Sequence, residues 1–316
     1  EVLPVIWDEL SPEARAVIDK QGVVYTDEEG DLVTSIVNQK DCSAADFEHS
    51  ESERLGISTI PLAVYIDGRE YKDDFLHSKE RFYRLAKLSK DLPKTSQPSP
   101  YVYECALKKA RDNGDSVVII TVSSALSGSY QSAVLARDLL GYKDCYVIDS
   151  KSASAGQKLV VKEALRLRDN GFSAKEIADF LLKFIKRIMI FACIDDMKYL
   201  YGGGRHTNAA VLLGSTGRIK PVISVTESGS VAFEAKTIGM RHGMNHMLLF
   251  LKKYGIDSSY PLYIMHTNSR NLALYFSKLI ISKGISFDEG GIVSVGSVVG
   301  SHIGEGSIGI AFVKKE

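Results

Sequence analysis

The sequence predicts an α/β protein of two domains, and three observations lead to this prediction. The chain has 316 residues, which at about 150 residues per domain favours two domains. Its composition, 45% hydrophobic and 25% charged, is that of an ordinary globular protein and not of a disordered or fibrous one. From about residue 31 onward, short apolar runs alternate with amphipathic segments, as strands alternate with helices in α/β folds.

The first predicted domain spans residues 31–187 and contains a mostly parallel sheet. The run 117–122, apolar except for Thr121, lacks the polar alternation of a half-exposed strand, so it predicts a parallel sheet covered on both faces. Residues 1–30 precede this domain as an extension of unknown role. The predicted strands are residues 32–37, 57–66, 117–122 and 145–148. One helix is predicted from Ser78, a second from about residue 100 to Asn113, and a third over residues 130–140. Two more helices follow, and the second of them begins at the capping box of Ser173 and Glu176.

The second predicted domain spans residues 188–316 and is mixed α+β. A turn at residues 227–230 joins two strand-like segments, which predicts one antiparallel hairpin. The predicted strands are residues 188–194, 221–225, 262–266, 292–298 and 308–313, with helices over residues 240–253 and 270–283 and a glycine-rich loop between the last two strands.

Charge and hydropathy exclude several classes of protein. Thirty-nine basic residues balance thirty-nine acidic ones, so no field would gather a nucleic acid. The longest apolar runs, residues 117–122 and 188–194, are six and seven residues long, whereas a spanning helix needs about twenty, so no transmembrane segment is predicted. No secretory signal is visible at the N-terminus.

The cysteines are typical of core thiols in a reducing compartment. Cys42, Cys105, Cys145 and Cys193 are far apart and form no Cys-x-x-Cys pair. His242 and His246 lie four residues apart, but no Glu stands between them, so an exposed helix face explains them better than a metal site. We therefore expect a cytoplasmic protein with no metal and no cofactor.

Four polar, glycine-rich or proline-broken segments follow predicted strands, where ligands bind in parallel α/β sheets. The segment 123–131 follows the most apolar strand and opens a helix, whose start favours an anion, although an ordinary helix cap is the better explanation of this segment taken alone. Arg205 follows three glycines. It either binds a carboxylate or phosphate group through two N–H donors, or it lies in a surface turn. The other two segments are residues 94–100 and 300–306.

Two further motifs, one for nucleotide binding and one for catalysis, are weaker evidence for a function than the four segments above. Residues 304–309 match G-x-G-x-x-G, but only seven residues follow and they read as a strand, so a dinucleotide site is excluded. Ser127, His302 and an Asp would make a catalytic triad, which leaves a hydrolase or acyltransferase as an alternative function.

Taken in order, these segments resemble the motifs of the DegV family of bacterial lipid-binding proteins. The likeness runs from about residue 31 to the C-terminus. The matching segments are Thr-Ser-Gln-Pro-Ser-Pro at 95–100, Leu-Ser-Gly-Ser-Tyr-Gln-Ser-Ala at 126–133, the Tyr-Leu and Gly-Gly-Arg residues of 199–205, and Gly-Ser-His-Ile-Gly-Glu-Gly at 300–306.

The resemblance implies a long-chain fatty acid held between the two domains. It places the carboxylate on Thr95 and Ser127 with Ser96 nearby, and puts Arg205 and His302 close to it. It further implies a non-enzymatic carrier in phospholipid metabolism, which presents the acid to an ATP-dependent kinase that forms the acyl-phosphate. The chain has no nucleotide motif of its own, which agrees with that division of labour. A sensor or scaffold with an empty tunnel is a third interpretation.

The sequence departs from the family pattern at two places. The segment Asp41-Cys42-Ser43 stands where the family has Thr-Asp-Ser. Ile303 and Glu305 replace Thr and Pro in the last glycine-rich segment. A carboxylate at Glu305 would repel a bound acid, so we expect it to point outward or to contact a partner.

Overall fold

The computed structural model describes residues 33–37, 44–72, 79–205, 218–288 and 291–316. It has an α/β fold in which helices surround three sheets. The strands are β1 (Val33–Val37), β2 (Ala63–Ile66), β3 (Arg69–Lys72), β4 (Lys94–Ser96), β5 (Ser116–Thr121), β6 (Cys145–Asp149), β7 (Ile188–Cys193), β8 (Ile219–Val225), β9 (Val231–Ile238), β10 (Tyr263–His266), β11 (Ile292–Ser294) and β12 (Ile308–Val313). The helices are α1 (His49–Arg54), α2 (Lys79–Leu88), α3 (Pro100–Asn113), α4 (Ser129–Leu139), α5 (Ser154–Asp169), α6 (Ala174–Phe184), α7 (Met197–Gly202), α8 (Met240–Tyr254), α9 (Arg270–Ser282) and α10 (Ser297–Ile303).

The predicted parallel sheet is present. Its order is β1-β5-β6, and both pairings are parallel. β5 is buried from Val117 to Thr121, because α3 and α4 cover one face while α5 and α6 cover the other. The predicted capping box of α6, formed by Ser173 and Glu176, is confirmed beside it. Helix α3 ends at Asn113, as predicted, and Gly114 follows in the left-handed conformation.

A small antiparallel sheet, β3-β2-β4, replaces the single strand predicted over residues 57–66. Only Ala63–Ile66 is extended in the ladder, and the chain then reverses at Asp67 and Gly68, which have φ angles of 48° and 76°. Two successive positive φ angles are those of the tight turn that joins hairpin strands. The sequence prediction missed this hairpin because the returning strand, Arg69–Lys72, is polar apart from one tyrosine.

The second half of the chain supplies a six-stranded mixed sheet of order β11-β10-β12-β7-β8-β9. The predicted hairpin is its β8–β9 pair. One prediction here was wrong, since residues 292–298 are not one strand: β11 ends at Ser294 and α10 starts at Ser297. The predicted glycine-rich loop is therefore partly helical.

Contacts from the first half of the chain explain where β11 ends. The Lys79 ammonium donates to the carbonyl oxygen of Ser294 at 2.9 Å, and the Tyr83 hydroxyl donates to that of Val295 at 2.9 Å. The backbone N–H of Gly296 donates to the buried Asp46 carboxylate at 2.7 Å. These partners take up the polar backbone groups that a longer strand would have paired.

The two halves share a core although no strand of one half pairs with a strand of the other among the described residues. Helix α5 packs on the parallel sheet and on the six-stranded sheet. One hydrophobic cluster joins Val118 and Leu159 with Ile190, Met265 and Val313. The domain division between residues 187 and 188 stays a prediction. Residues 1–30 and the segment Asp41-Cys42-Ser43 lie outside the described part of the chain.

Candidate ligand-binding site

A cavity of about 450 Å³ lies between the parallel sheet and the six-stranded sheet. Its volume is within the range of sites for small organic ligands. Most of its wall is hydrocarbon. The apolar side chains come from both halves of the chain and include Leu62, Val122, Ile190, Ile223, Val231, Met265, Val295, Val298 and Ile308.

The pleat of the six-stranded sheet explains one continuous apolar wall. Ile190 and Ala192 lie two residues apart on β7 and so face the same side of the sheet. Ala192 pairs with Ile223 on one neighbouring strand and with Gly309 on the other. Gly309 has to be glycine, since a Cβ there would lie 2.8 Å from the carbonyl oxygen of Phe191. The missing side chain lets the Phe191 carbonyl group and the Met265 side chain lie close to β12 at the cavity wall.

The polar end of the cavity contains the five residues that the sequence analysis selected as carboxylate ligands. They reach it from four different elements: the end of β4, the loop before α4, the turn after α7, and α10. The five are Thr95, Ser96, Ser127, Arg205 and His302.

His302 connects this end of the cavity to β4. Its Nε2 lies 2.8 Å from Thr95 Oγ1, while its buried Nδ1 has no hydrogen-bond partner. Burial of the ring, followed by the nearby Arg205 charge, lowers the pKa of His302 to about 4, so the imidazole is neutral at pH 7. Gly203 leaves the space that the ring fills, since a Cβ at Gly203 would lie 2.3 Å from Nδ1.

Arg205 is a cation at the edge of an apolar cavity, and no carboxylate of the described residues pairs with it. Its Nε donates to the carbonyl oxygen of Leu126 at 3.2 Å, and its Nη1 donates to that of Gly203 at 2.6 Å. Those two bonds fix the plane of the guanidinium. No acidic side chain within the described ranges forms an ion pair with it, and its remaining N–H groups are free to bind an anion.

Ser127 stands just before α4, at the end of a helix where an anion is favoured. Its hydroxyl oxygen lies 2.9 Å from that of Ser129 and accepts a bond from the Ser129 N–H at 3.3 Å. The side-chain amide of Gln97 packs directly against Gly128, where a Cβ atom would lie only 2.1 Å from Gln97 Oε1. Gln97 in turn donates to the Ser132 hydroxyl at 3.3 Å, so the segment after β4 is tied to α4.

The cavity also has polar lining residues that the sequence analysis missed. Gln97 lay inside a quoted motif but was not selected. A serine-rich run after β6 was an available signal for Ser154, and a histidine at a strand end was one for His266. The missed polar residues are Gln97, Ser154, His266, Thr267 and Ser307.

The residues needed for a triad are not arranged as one. The Ser127 hydroxyl pairs with Ser129, and the His302 Nε2 pairs with Thr95. No carboxylate in the described part of the chain bonds to the His302 Nδ1, so nothing orients the ring as a base. The described residues contain no group of three His, Cys, Asp or Glu side chains that could hold a metal ion.

Glu305 points away from the cavity, as expected. Its carboxylate accepts from the Asn268 amide at 2.7 Å and lies 4.0 Å from the Lys87 ammonium. It lines an outer depression together with Asp196 and Tyr199. The replacement of proline by Glu305 therefore brings no negative charge into the cavity.

Comparison with known proteins gives the same family as the motifs. A family model described as "Uncharacterised protein, DegV family" matches residues 42–315. The chain belongs to the DegV family. The DegV domain-containing protein TTE1491 of Caldanaerobacter subterraneus subsp. tengcongensis is 30% identical over 279 residues, which are 86% of this chain and 97% of that protein.

Solved DegV structures share the fold. A DegV lipid-binding protein of Thermotoga maritima superimposes with a TM-score of 0.77 at 25% identity, over 90% of this chain and 99% of that one. The hypothetical protein TM841 of the same organism, whose structure reveals a fatty-acid-binding function, gives a TM-score of 0.75 at 25% identity with the same coverage. Among the described residues of this DegV protein, no helix combines the length and the apolar character needed to cross a membrane.

Proposed function

We propose that this DegV protein binds one long-chain fatty acid, with the hydrocarbon chain in the apolar cavity and the carboxylate at the Thr95–His302 end. The observation that carries the proposal is Arg205. A cation held by two backbone carbonyls, without an acidic partner in the described chain, stands at the polar end of an otherwise apolar cavity. A long-chain fatty acid matches both features, since its carboxylate can pair with the cation and its alkyl chain can fill the apolar cavity.

The hydrocarbon wall supplies the affinity. Burying about fifteen methylene groups favours binding by roughly 12 kcal/mol at about 0.8 kcal/mol each. Lost translational freedom and the ordering of the chain offset a large share of this energy. The fatty-acid-binding relative from Thermotoga maritima supports the same class of ligand.

The polar end supplies recognition of the carboxylate. Arg205 offers guanidinium N–H donors, and the Thr95 and Ser127 hydroxyls and the α4 N-terminus offer neutral ones. His302, neutral at pH 7, can exchange its bond to Thr95 for one to the ligand. Ser96, on the cavity wall beside Thr95, completes the set of hydroxyls.

We further propose that the protein is a carrier and not an enzyme, and that it presents the bound carboxylate to a separate ATP-dependent kinase. The kinase would transfer the γ-phosphoryl group of ATP to a carboxylate oxygen and release ADP. Surface-exposed neighbours support this arrangement, since Gln97, Ala125 and Gly204 surround the carboxylate end. A partner can then reach the carboxylate while the hydrocarbon chain stays buried. This role belongs in the cytoplasm and in phospholipid metabolism, and it needs no cofactor.

Native mass spectrometry of the freshly purified protein, followed by lipid extraction, tests the binding proposal. We expect an adduct that releases one long-chain fatty acid per chain. A bare protein mass together with failure to bind added stearate would exclude the carrier function and leave a sensor or scaffold with an empty tunnel. Turnover of an activated ester, abolished in Ser127→Ala, would establish the hydrolase instead.

A second experiment tests the kinase step. Loaded protein is incubated with ATP and a bacterial fatty acid kinase, and hydroxylamine traps any acyl-phosphate as a hydroxamate. We expect hydroxamate in proportion to the loaded protein and none from protein stripped of lipid. Hydroxamate yields that are the same with and without this protein would contradict presentation.

A further inference from the structure

Asp46 is a buried carboxylate that joins the two halves of the chain beside the cavity wall. It is 1% exposed, and both of its side-chain oxygens accept hydrogen bonds. Oδ2 accepts from the hydroxyl of Ser154, the first residue of α5, and Oδ1 accepts from the backbone N–H of Gly296 at 2.7 Å. Ser154 lines the cavity, and so does Val295, the residue before Gly296. The carboxylate therefore links cavity residues of one half to cavity residues of the other.

The backbone is in an unusual conformation at both ends of the bond between Asp46 and Ser154. Asp46 has a φ of 54° and Ser154 has a φ of 51°, in the left-handed region that residues other than glycine rarely adopt. The backbone N–H of Ser154 also donates to the carbonyl oxygen of Ala44, another residue of the cavity wall. Such conformations persist only where the surrounding structure enforces them, and they are concentrated at functional sites. The bonds to Ser154 thus fix the place of the Asp46 carboxylate.

The bond from Gly296 acts on α10, because this helix starts directly after Gly296. The first backbone bond of the helix runs from the N–H of Gly300 to the carbonyl oxygen of Gly296 at 2.8 Å. His302 stands six residues after Gly296, in the last turn of the same helix, where its Nε2 lies 2.8 Å from Thr95 Oγ1. Since α10 is only about 10 Å long, a shift of its first turn also moves its last turn.

We propose that Asp46 is a positioning residue of the carboxylate site, which holds α10 through Gly296 so that His302 stays within reach of Thr95 and of the ligand carboxylate. Asp46 itself is not part of the cavity wall. The preference of the protein for a fatty acid over the neutral alcohol of the same length therefore depends on a residue that does not touch the ligand. The proposal rests on fatty acid binding as proposed above.

The loss of Asp46 has a different signature for each role that the residue could have. If only its charge matters, removal of a buried negative charge strengthens stearate binding, because the Lys79 and Lys158 charges that act on Asp46 remain. If Asp46 only joins the two halves, its removal weakens stearate and stearyl alcohol alike. If Asp46 positions His302, stearate is weakened more than stearyl alcohol, because an ionised head group gains most from well-placed donors.

Competition binding of stearate and stearyl alcohol to two variants distinguishes these roles. Asp46→Gly removes the carboxylate and tolerates the positive φ. Asp46→Asn also removes the charge, but its amide oxygen can accept from the Gly296 N–H and its amide nitrogen can donate to the Ser154 hydroxyl. We expect the ratio of stearate affinity to stearyl alcohol affinity to fall about 3- to 10-fold in Asp46→Gly, the effect of one net hydrogen bond. In Asp46→Asn the ratio should stay within about 2-fold of the wild-type value.

Ser154→Gly is the matched control, since it removes the other bond of Asp46, tolerates the positive φ and leaves the Gly296 bond in place. It should change both affinities alike and leave their ratio unchanged. Thermal unfolding shows whether Asp46→Gly is folded.

A second measurement uses the wild-type protein alone. Coupling between two sites is reciprocal, so a carboxylate that binds better when Gly296 is held must in turn stabilise the Gly296 bond. Bound stearate should therefore slow amide hydrogen exchange at Gly296 more than bound stearyl alcohol does.

The outcomes separate this proposal from the one on which it rests. If stearate binds the wild type and the affinity ratio is unchanged or higher in Asp46→Gly, or falls equally in Asp46→Asn, positioning by Asp46 is refuted and fatty acid binding stands. Equal protection of the Gly296 amide by the two ligands would refute positioning even if Asp46→Gly does not fold. If stearate does not bind the wild-type protein, fatty acid binding itself is refuted.

Discussion

Two histidines line the same cavity, and their environments give them different roles. Burial lowers the pKa of both His302 and His266 to about 4, so both rings are neutral at pH 7. His302 faces a hydroxyl and has the Arg205 cation nearby, whereas His266 accepts a bond from a backbone N–H and has the Arg270 and Lys79 cations nearby. Desolvation fixes the charge state of each ring, and the neighbouring groups decide what each ring can recognise.

The largest effect that follows from this comparison is a loss of stability at acidic pH. A histidine titrates at 6.5 when unfolded and at about 4 here, so the native state binds fewer protons between those values. The contribution of each ring is complete above pH 6.5 and is lost as pH falls toward 4, by up to about 3 kcal/mol per ring. Urea unfolding across this range measures it.

Variants isolate the two contributions from those of the carboxyl groups. His266→Phe and His302→Phe should each make the decline in unfolding free energy between pH 6.5 and 4 shallower than in the wild type. His242 is exposed, so His242→Gln serves as the control and should leave the slope unchanged. Equal slopes in all four proteins would mean that neither ring is held neutral by the fold.

The next effect concerns the two arginines that act on the histidines. Arg205→Ala removes the cation from the carboxylate end and should weaken stearate binding by about 10- to 100-fold, as expected for a hydrogen bond to a charged group. Arg270→Ala removes an exposed cation near His266 and should change stearate binding by less than about 2-fold. Calorimetric titration with stearate measures both. Equal losses in the two variants would place the carboxylate elsewhere.

Glycine substitutions test how closely His302 is packed. Gly203→Ala would bring a Cβ to 2.3 Å from the His302 ring and 3.1 Å from the carbonyl oxygen of Tyr199, so the ring must move. We expect about 1–3 kcal/mol of destabilisation, as for other overpacked sites, together with weaker stearate binding.

Gly204→Ala separates packing from backbone strain. Its Cβ would meet open space, and its φ of 64° makes the substitution strained. It should therefore lower the free energy of unfolding by about 1 kcal/mol and leave stearate affinity intact. Weaker binding in Gly204→Ala than in Gly203→Ala would contradict the packing argument.

The smallest effect is the response of each ring to the ligand. A carboxylate beside His302 favours the imidazolium, so bound stearate should raise the pKa of His302 by about one unit. A hydrocarbon chain beside His266 carries no charge and should leave its pKa within a few tenths of a unit. Nuclear magnetic resonance titration of the two rings, with and without stearate, makes the comparison. A larger increase at His266 would reverse the orientation of the bound acid.

The elements that the sequence predicted well are those decided by local pattern. β5 contains the apolar run Val117 to Ile120, and α6 opens with a capping box, so neither depends on distant residues for its type. Helix α10 was missed because Val295, Val298 and Val299 read as a strand. Its start is fixed by Tyr83 and Asp46, more than two hundred residues earlier, and no local pattern contains that information.

The same distinction holds for the candidate site. The five selected residues lie in motifs with recognisable order and spacing, and the structure brings them to one end of one cavity. His266 belongs to no such motif. Its place on the cavity wall and its backbone bond from Ser269 are properties of the folded chain.

The anchoring of the segment between β11 and α10 affects how ligand preference can change within the family. Lys79, Tyr83 and Asp46 hold this segment by its carbonyl and N–H groups and make no demand on its side chains. Val295 and Val298, which line the cavity, can therefore be exchanged for larger or smaller residues while the backbone stays fixed. Such exchanges would reshape the space around a bound chain without moving His302, so that new ligand preferences can evolve while carboxylate recognition is retained.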